Sequence, residues 1–175
     1  TPETFRWHCA ELAATATRVA QARPGDWVLD IASNDGCLLS KFRDLGVQVV
    51  GVDPAANLVR EANAKGIPTL CAYWSNGIAK DLMSRFVPPK IITATNVIAH
   101  VDDVHAFVEA VEACLAPGGI FILECPYVLD FIERNEFDTA YHEHLSYLGV
   151  QPLARLMAAH RLRVFDVEYF ADIHG

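Results

Sequence analysis

A chain of 175 residues, 52% hydrophobic and 21% charged, has the size and composition of one globular domain with a core of its own. Its formal net charge of −8, with no cluster of Lys and Arg, excludes a phosphate-backbone partner such as a nucleic acid. No apolar stretch approaches the roughly 20 residues of a membrane span and no signal peptide opens the sequence, so the expectation is a cytoplasmic protein with no membrane partner.

In chain order, Thr1-Pro2-Glu3 reads as a helix start. Phe5, Cys9, Leu12, Ala16 and Val19 follow at three- and four-residue steps and predict one buried stripe. Arg23-Pro24-Gly25-Asp26 ends that helix, and Trp27 to Ile31 predicts the first strand. A helix with Leu38, Leu39, Phe42 and Leu45 inward leads to a second strand, Gln48 to Val52. A helix from Pro54 to about Lys65 precedes a short third strand, Thr69 to Ala72, and Asn76 to Phe86 is helical. Lys90 to Ala94 predicts the fourth strand. Asp102 or Asp103 caps a helix carrying Val104, Phe107, Val108, Val111 and Leu115. After the turn Ala116-Pro117-Gly118-Gly119, Ile120 to Leu123 is the fifth strand and Pro126 to Arg134 a helix. Residues 135 to 149 have no clear period, Pro152 to His160 is an amphipathic helix, and Leu162 to Phe170 a last strand. Strands alternating with helices predict an α/β, Rossmann-like sheet, mostly parallel, with helices on both faces.

The five cysteines, Cys9, Cys37, Cys71, Cys114 and Cys125, form no C-x-x-C pair. An odd number on helices and strands reads as reduced core thiols rather than disulfides or zinc ligands.

The chemistry concentrates first at Val28-Leu29-Asp30-Ile31-Ala32-Ser33-Asn34-Asp35-Gly36, an apolar run that breaks into a turn of small residues. The second strand ends in Asp53, placed to accept both hydroxyls of a ribose. This pairing is the mononucleotide-binding half of an open α/β sheet. A pyrophosphate turn would read G-x-G-x-x-G, whereas here Ala32, Asn34 and Gly36 stand at a spacing of two and two. Ala32 allows close approach, and Asn34 is the non-glycine residue most tolerant of a left-handed backbone. Asp30 and Asp35 repel a pyrophosphate and suit a cation. A nucleoside with an ammonium, a sulfonium and a single ribose meets all of these demands, and that is S-adenosylmethionine.

On these residues the chain resembles the class I S-adenosylmethionine-dependent methyltransferases. Asp30 to Gly36 stand where that superfamily has D-x-G-x-G, and Val52-Asp53-Pro54 match its second strand. Asn96-Val97-Ile98-Ala99-His100-Val101 match the end of its fourth strand, and Leu115 to Gly119 the turn before its fifth. The resemblance implies cofactor contacts from Asp30, Ala32, Ser33, Asn34, Gly36, Asp53, Pro54, Leu58, Asn96 and Ile98, with S-adenosylhomocysteine as product. Tyr73 and Trp74 could flank the adenine, or serve plain packing.

The second concentration is Asn135-Glu136-Phe137-Asp138-Thr139-Ala140-Tyr141-His142-Glu143-His144-Leu145-Ser146-Tyr147. It could be a solvated polar loop. It could hold a metal through His142 and His144, although a third ligand is not identifiable nearby. The third reading is acid–base catalysis by histidine. With the Asp30 and His100 segments it resembles the sugar C-3 methyltransferases of deoxysugar biosynthesis, which act on nucleotide-linked 4-keto-deoxysugars and make branched sugars found on antibiotics. The resemblance implies His144 as the base, with His100, Tyr141 and Glu143 lining the reacting carbon. His100 alone, read without it, could equally be a helix-capping contact.

The same family resembles a three-part protein with a cysteine-rich zinc module before the methyltransferase core and a further domain after it. Residues 1–175 are thus expected to be the cofactor-binding core alone, lacking both flanking parts and the last, antiparallel strand of the sheet. The implied partner is a small molecule, a dTDP-type sugar nucleotide. The oligomeric state is left open, a monomer being compatible. Rival expectations are methylation of another small molecule, a metal-dependent enzyme, and a non-catalytic cofactor-binding fragment.

Overall fold

The computed structural model describes residues 2–135 and 142–170. Five parallel strands, β1 (Trp27–Ile31), β2 (Gln48–Asp53), β3 (Thr69–Cys71), β4 (Ile91–Thr95) and β5 (Ile120–Glu124), lie in the order β3-β2-β1-β4-β5. The described helices are α1 (Glu3–Val19), α2 (Cys37–Asp44), α3 (Ala56–Ala64), α4 (Asn76–Arg85), α5 (Val104–Cys114), α6 (Val128–Glu133) and α7 (Val150–Ala159), with a 3₁₀ turn at Ile98–His100 after β4. No described helix is long and apolar enough to cross a membrane.

Both faces of the sheet are covered, and the strands show it as apolar runs rather than alternation with polar residues. Val28, Val49 and Ile91 face Cys9, Ala13 and Ala16 of α1 and Leu38, Leu39 and Phe42 of α2. Their neighbours Leu29, Val50 and Ile92 face the opposite way, toward Ala79 and Leu82 of α4, Phe107, Val108 and Val111 of α5, and Leu156 and Met157 of α7. Register fixes the polar residues too. Asp30 pairs with Thr93 and Gly51 across the central strands, so all three share the α1–α2 face.

Local chemistry sets several boundaries. Ser75 Oγ accepts the amide of Ile78 to start α4, and Asp103 rather than Asp102 caps α5, its Oδ1 accepting the Ala106 amide at 2.9 Å. Gly36 opens α2 at φ 77°, where an added Cβ would also meet Ile67 at 3.1 Å.

Two expectations are corrected. The strand expected over Leu162 to Phe170 does not form; these residues run without regular pairing and most are exposed. Alternating apolar residues make a strand only beside a sheet edge with which they can pair, and β5 is bonded to β4 alone among the described strands. Nor are all the thiols in the core. The five cysteines are unpaired, but Cys71 is exposed and Cys37 and Cys125 are only partly covered, while Cys9 and Cys114 are buried.

Gly51 shows how tightly the first turn is seated. A Cβ at this position would lie 2.3 Å from Ser33 Oγ and 3.0 Å from Thr69 Oγ1. Gly51→Ala is therefore expected to destabilise the protein by about 1–3 kcal/mol through overpacking and to push Ser33 out of place. Chemical denaturation together with cofactor titration checks both effects.

Candidate cofactor and catalytic site

The first turn closes on main-chain bonds. The amides of Ala32 and Ser33 both donate to the Val52 carbonyl, at 2.8 and 3.2 Å, and the Gly36 amide donates to Ser33 O. Ala32, Asn34 and Gly36 adopt left-handed φ values of 60°, 52° and 77°. The turn stands at the carboxyl edge, where open α/β sheets bind their ligands, with its own amides donated inward. The left-handed Asn34 follows from its residue type. Ala32 at φ 60° does not, since alanine is disfavoured there by roughly 1–2 kcal/mol.

Asp53 ties this turn to β2. Its carboxylate accepts the Asn34 amide at 2.9 Å and the Ala55 amide at 2.8 Å, and it is 5% exposed. A carboxylate with one amide on each oxygen keeps further lone pairs for ribose hydroxyls. Asp30 is buried on β1, with Thr93 Oγ1 donating to its Oδ1 at 2.6 Å. Burial raises its carboxyl from 3.8 to about 7; the Thr93 bond opposes this and the nearby Asp53 charge adds to it. A buried acid poised in this way suits a cationic ligand. Asp35 is engaged by Lys65 Nζ at 3.1 Å, and its Oδ1 accepts the Cys37 amide.

Other expected cofactor residues are distributed unevenly. Ser33 turns its hydroxyl inward against Gly51, where Oγ is buried without a hydrogen-bond partner among the described residues. Its main-chain groups are bonded within the turn, the amide to Val52 O and the carbonyl to the Gly36 amide. Trp74 is anchored, its Nε1 donating to Phe107 O at 3.2 Å, whereas Tyr73 after β3 is 81% exposed. Asn96 ends β4 in a left-handed conformation, φ 54°, and Ile98 is buried in the 3₁₀ turn. Pro54 is exposed and Leu58 half-buried at the start of α3.

The late polar segment meets the same edge. The amides of Leu145 and Ser146 both donate to Ala99 O, at 2.7 and 3.3 Å, which docks residues 142–148 on the 3₁₀ turn. The His100 and His144 rings stand 4.8 Å apart, with Tyr147 edge-on to His144 at 6.2 Å and Phe131 against Tyr147 at 5.1 Å. His100 Nδ1 lies 2.9 Å from the Glu143 carbonyl. A carbonyl only accepts, so Nδ1 carries a proton and Nε2 is the nitrogen left for chemistry. Glu143 thus enters by its main chain; its carboxylate is largely exposed and stands 3.9 Å from the His142 imidazole. Tyr141 lies outside the described residues. Among those described, no group of three or more His, Cys, Asp or Glu side chains is placed to hold a metal ion.

One buried pair gave no signal in the sequence. His8 on α1, 3% exposed, donates from Nε2 to Glu124 at the end of β5 over 2.6 Å. A separate polar groove of about 430 Å³ between α4, α5 and the end of α7, lined by Glu109, Glu112, His160 and Arg161 among others, contains none of the candidate residues.

An open parallel sheet with a tight left-handed turn and two buried carboxylates, Asp30 and Asp53, at its carboxyl edge has the form of a nucleoside-cofactor domain. Over residues 6–167 the chain matches the methyltransferase domain family and belongs to it. Its cofactor is S-adenosylmethionine. The chain is 40% identical over 151 residues to C-methyltransferase NovU of Streptomyces niveus, covering 86% of this chain and 36% of that protein. It thus spans about a third of that relative's length. Among solved structures it resembles the YcgJ protein from a Bacillus species, at TM-score 0.67 and 24% identity over 87% of this chain and 67% of that one. It also resembles SAM-bound CalS10, an amino pentose methyltransferase from Micromonospora, at TM-score 0.54 and 25% identity over 68% and 51% of the two chains.

The residues fit the cofactor. Alternate left-handed positions at 32, 34 and 36 make a tight turn of small residues, Asp53 keeps lone pairs that suit a ribose, and Asp30 is an acid that suits a cation.

Proposed function

We propose that this domain carries methyl transfer to carbon, at C-3 of a nucleotide-linked 4-keto-deoxysugar of the dTDP type, with His144 as the base. The observation that carries the reading is the pairing of His144 and His100, rings 4.8 Å apart, at the carboxyl end of β4. The 40% identity to a C-methyltransferase and the resemblance to a sugar methyltransferase support it.

Bound S-adenosylmethionine supplies an electrophilic methyl group. An amine or a hydroxylate brings a lone pair to such a methyl, but a sugar carbon must first lose a proton. A neighbouring ketone makes that proton removable. In this reading His144 takes the C-3 proton and the electron pair moves onto the C-4 oxygen. The resulting enolate carbon would take the methyl group as the methyl–sulfur bond breaks, the electron pair of that bond staying on sulfur and S-adenosylhomocysteine leaving. Donors must meet the oxygen as its charge grows. The Nδ1–H of His100 is committed to the Glu143 carbonyl, so His100 donates through Nε2 only as the imidazolium. In this reading His144 acts as the neutral imidazole and His100 as the imidazolium. Tyr141 would be the second donor.

In heavy water, the protein with S-adenosylhomocysteine and the 4-keto sugar nucleotide should exchange the C-3 proton for deuterium, read by mass spectrometry or NMR. Methylation without any such exchange, or methyl appearing on oxygen or nitrogen, overturns the reading. Cofactor binding with neither exchange nor turnover identifies a non-catalytic module instead.

A further inference from the structure

Main-chain bonds hold the segment that carries His144 at two places. The Leu145 and Ser146 amides donate to Ala99 O, and Leu148 O accepts the Val128 amide at the start of α6 over 3.1 Å. A parallel bridge between Tyr127 and Leu148 adds to the second attachment. Such bonds fix where the Cα of His144 stands, but not how its ring turns. A histidine ring rotates about two torsions, and the second is broad, without the staggered wells of an aliphatic side chain. A base must bring one nitrogen to within about 3 Å of the proton it takes. Its orientation therefore has to come from neighbouring side chains.

Those neighbours are rings. His144 is half-buried, with His100 at 4.8 Å tilted by 55° and Tyr147 at 6.2 Å almost perpendicular, at 86°. Aromatic pairs favour edge-to-face arrangements with centroids about 4.5–7 Å apart. Tyr147 lies in turn against the half-buried Phe131 of α6, with 5.1 Å between centroids and 32° between planes. Phe131, Tyr147, His144 and His100 thus follow one another from α6 to the 3₁₀ turn after β4. One end of this succession rests on a helix. The other is His100, itself held by its Nδ1 on the Glu143 carbonyl.

We propose that Tyr147, backed by Phe131, is a positioning residue that sets the orientation of the His144 imidazole through its aromatic ring. This rests on His144 as the base.

Rates read per S-adenosylhomocysteine-binding site, counted by calorimetry, separate positioning from folding, since misfolded protein lowers the number of sites and not the rate at each. Tyr147→Ala is expected to lower C-3 deuterium exchange and methyl transfer together by about 10- to 100-fold, the scale for a reacting group displaced by about an ångström. KM for the sugar nucleotide should stay within about threefold, because uniform binding is not what is lost. Tyr147→Phe keeps the ring and should recover most of the loss. Phe131→Ala should move the same rates in the same direction by a smaller factor. In a His144→Asn background, Tyr147→Ala should cost no more than about a further twofold, because a residue acting through the imidazole has nothing left to position. If Tyr147→Ala binds no S-adenosylhomocysteine, Tyr147→Leu gives the same comparison with more of the side-chain volume kept.

Parent rates in the variant without the ring, a Tyr147→Phe variant as slow as Tyr147→Ala, or an undiminished loss in the His144→Asn background each overturns the proposal. A parent protein that binds S-adenosylhomocysteine yet exchanges no C-3 proton overturns the base reading itself, so the two failures are distinguishable.

Discussion

His144→Asn should lower C-3 deuterium exchange and methyl transfer together by about 10²–10⁴-fold, the range associated with losing a positioned general base. S-Adenosylhomocysteine affinity should stay close to that of the parent, because the segment carrying His144 is docked through the Leu145 and Ser146 amides. The parallel fall matters. A group acting only to align the sugar would slow methylation yet leave exchange largely intact, whereas a base must govern both. Full exchange in the variant would remove His144 from the base role. An equal loss of cofactor affinity would show that the substitution had damaged the edge of the sheet.

Cofactor binding should strengthen as pH rises toward 7 and release a proton below it. Asp30, raised to about 7 by its burial, is mostly protonated in the unliganded protein at pH 6. An ammonium beside it favours the carboxylate, so binding must expel that proton. Linkage then allows affinity to rise by up to about tenfold per pH unit below 7 and to level off above it. Calorimetry at pH 6 in buffers of different ionisation enthalpy should count close to one released proton. Asp30→Asn should bind about 10- to 100-fold more weakly at pH 8 and show no such proton release. Proton release that persists in Asp30→Asn would assign it to another group. The same carboxyl affects folding with the opposite sign to a salt-bridged acid. Its folded value lies above the unfolded 3.8, so its contribution to stability is full below 3.8 and is lost as pH rises through about 7.

The parts of this molecule that follow from local pattern were legible in the sequence, and those that depend on a distant partner were not. Trp27 to Ile31 was bounded correctly because a buried parallel strand is an apolar run closed by turn residues on both sides. The left-handed backbone at Asn34 could be inferred from its residue type, while Ala32 carries no such mark. Leu162 to Phe170 shows the converse. Its β-branched and aromatic residues satisfy strand preference, yet pairing is a property of two segments, and one segment cannot reveal its neighbour. His8 and Glu124 are 116 positions apart, so only the packing of α1 across β5 could expose their contact. His100 and His144 could be suspected from residue type, but their proximity depends on main-chain bonds to Ala99, which carry no side-chain signature.

That attachment through Ala99 bears on how such a domain changes its substrate. Because backbone atoms moor the loop, its exposed side chains, such as those of His142 and Glu143, can vary without removing the bonds that hold it. Evolution or a protein engineer could thus recut acceptor preference through neighbouring identities while the proton-abstracting atom keeps its station. A proline at 145 or 146 would be the exception, since it removes one of the two N–H groups on which the mooring depends.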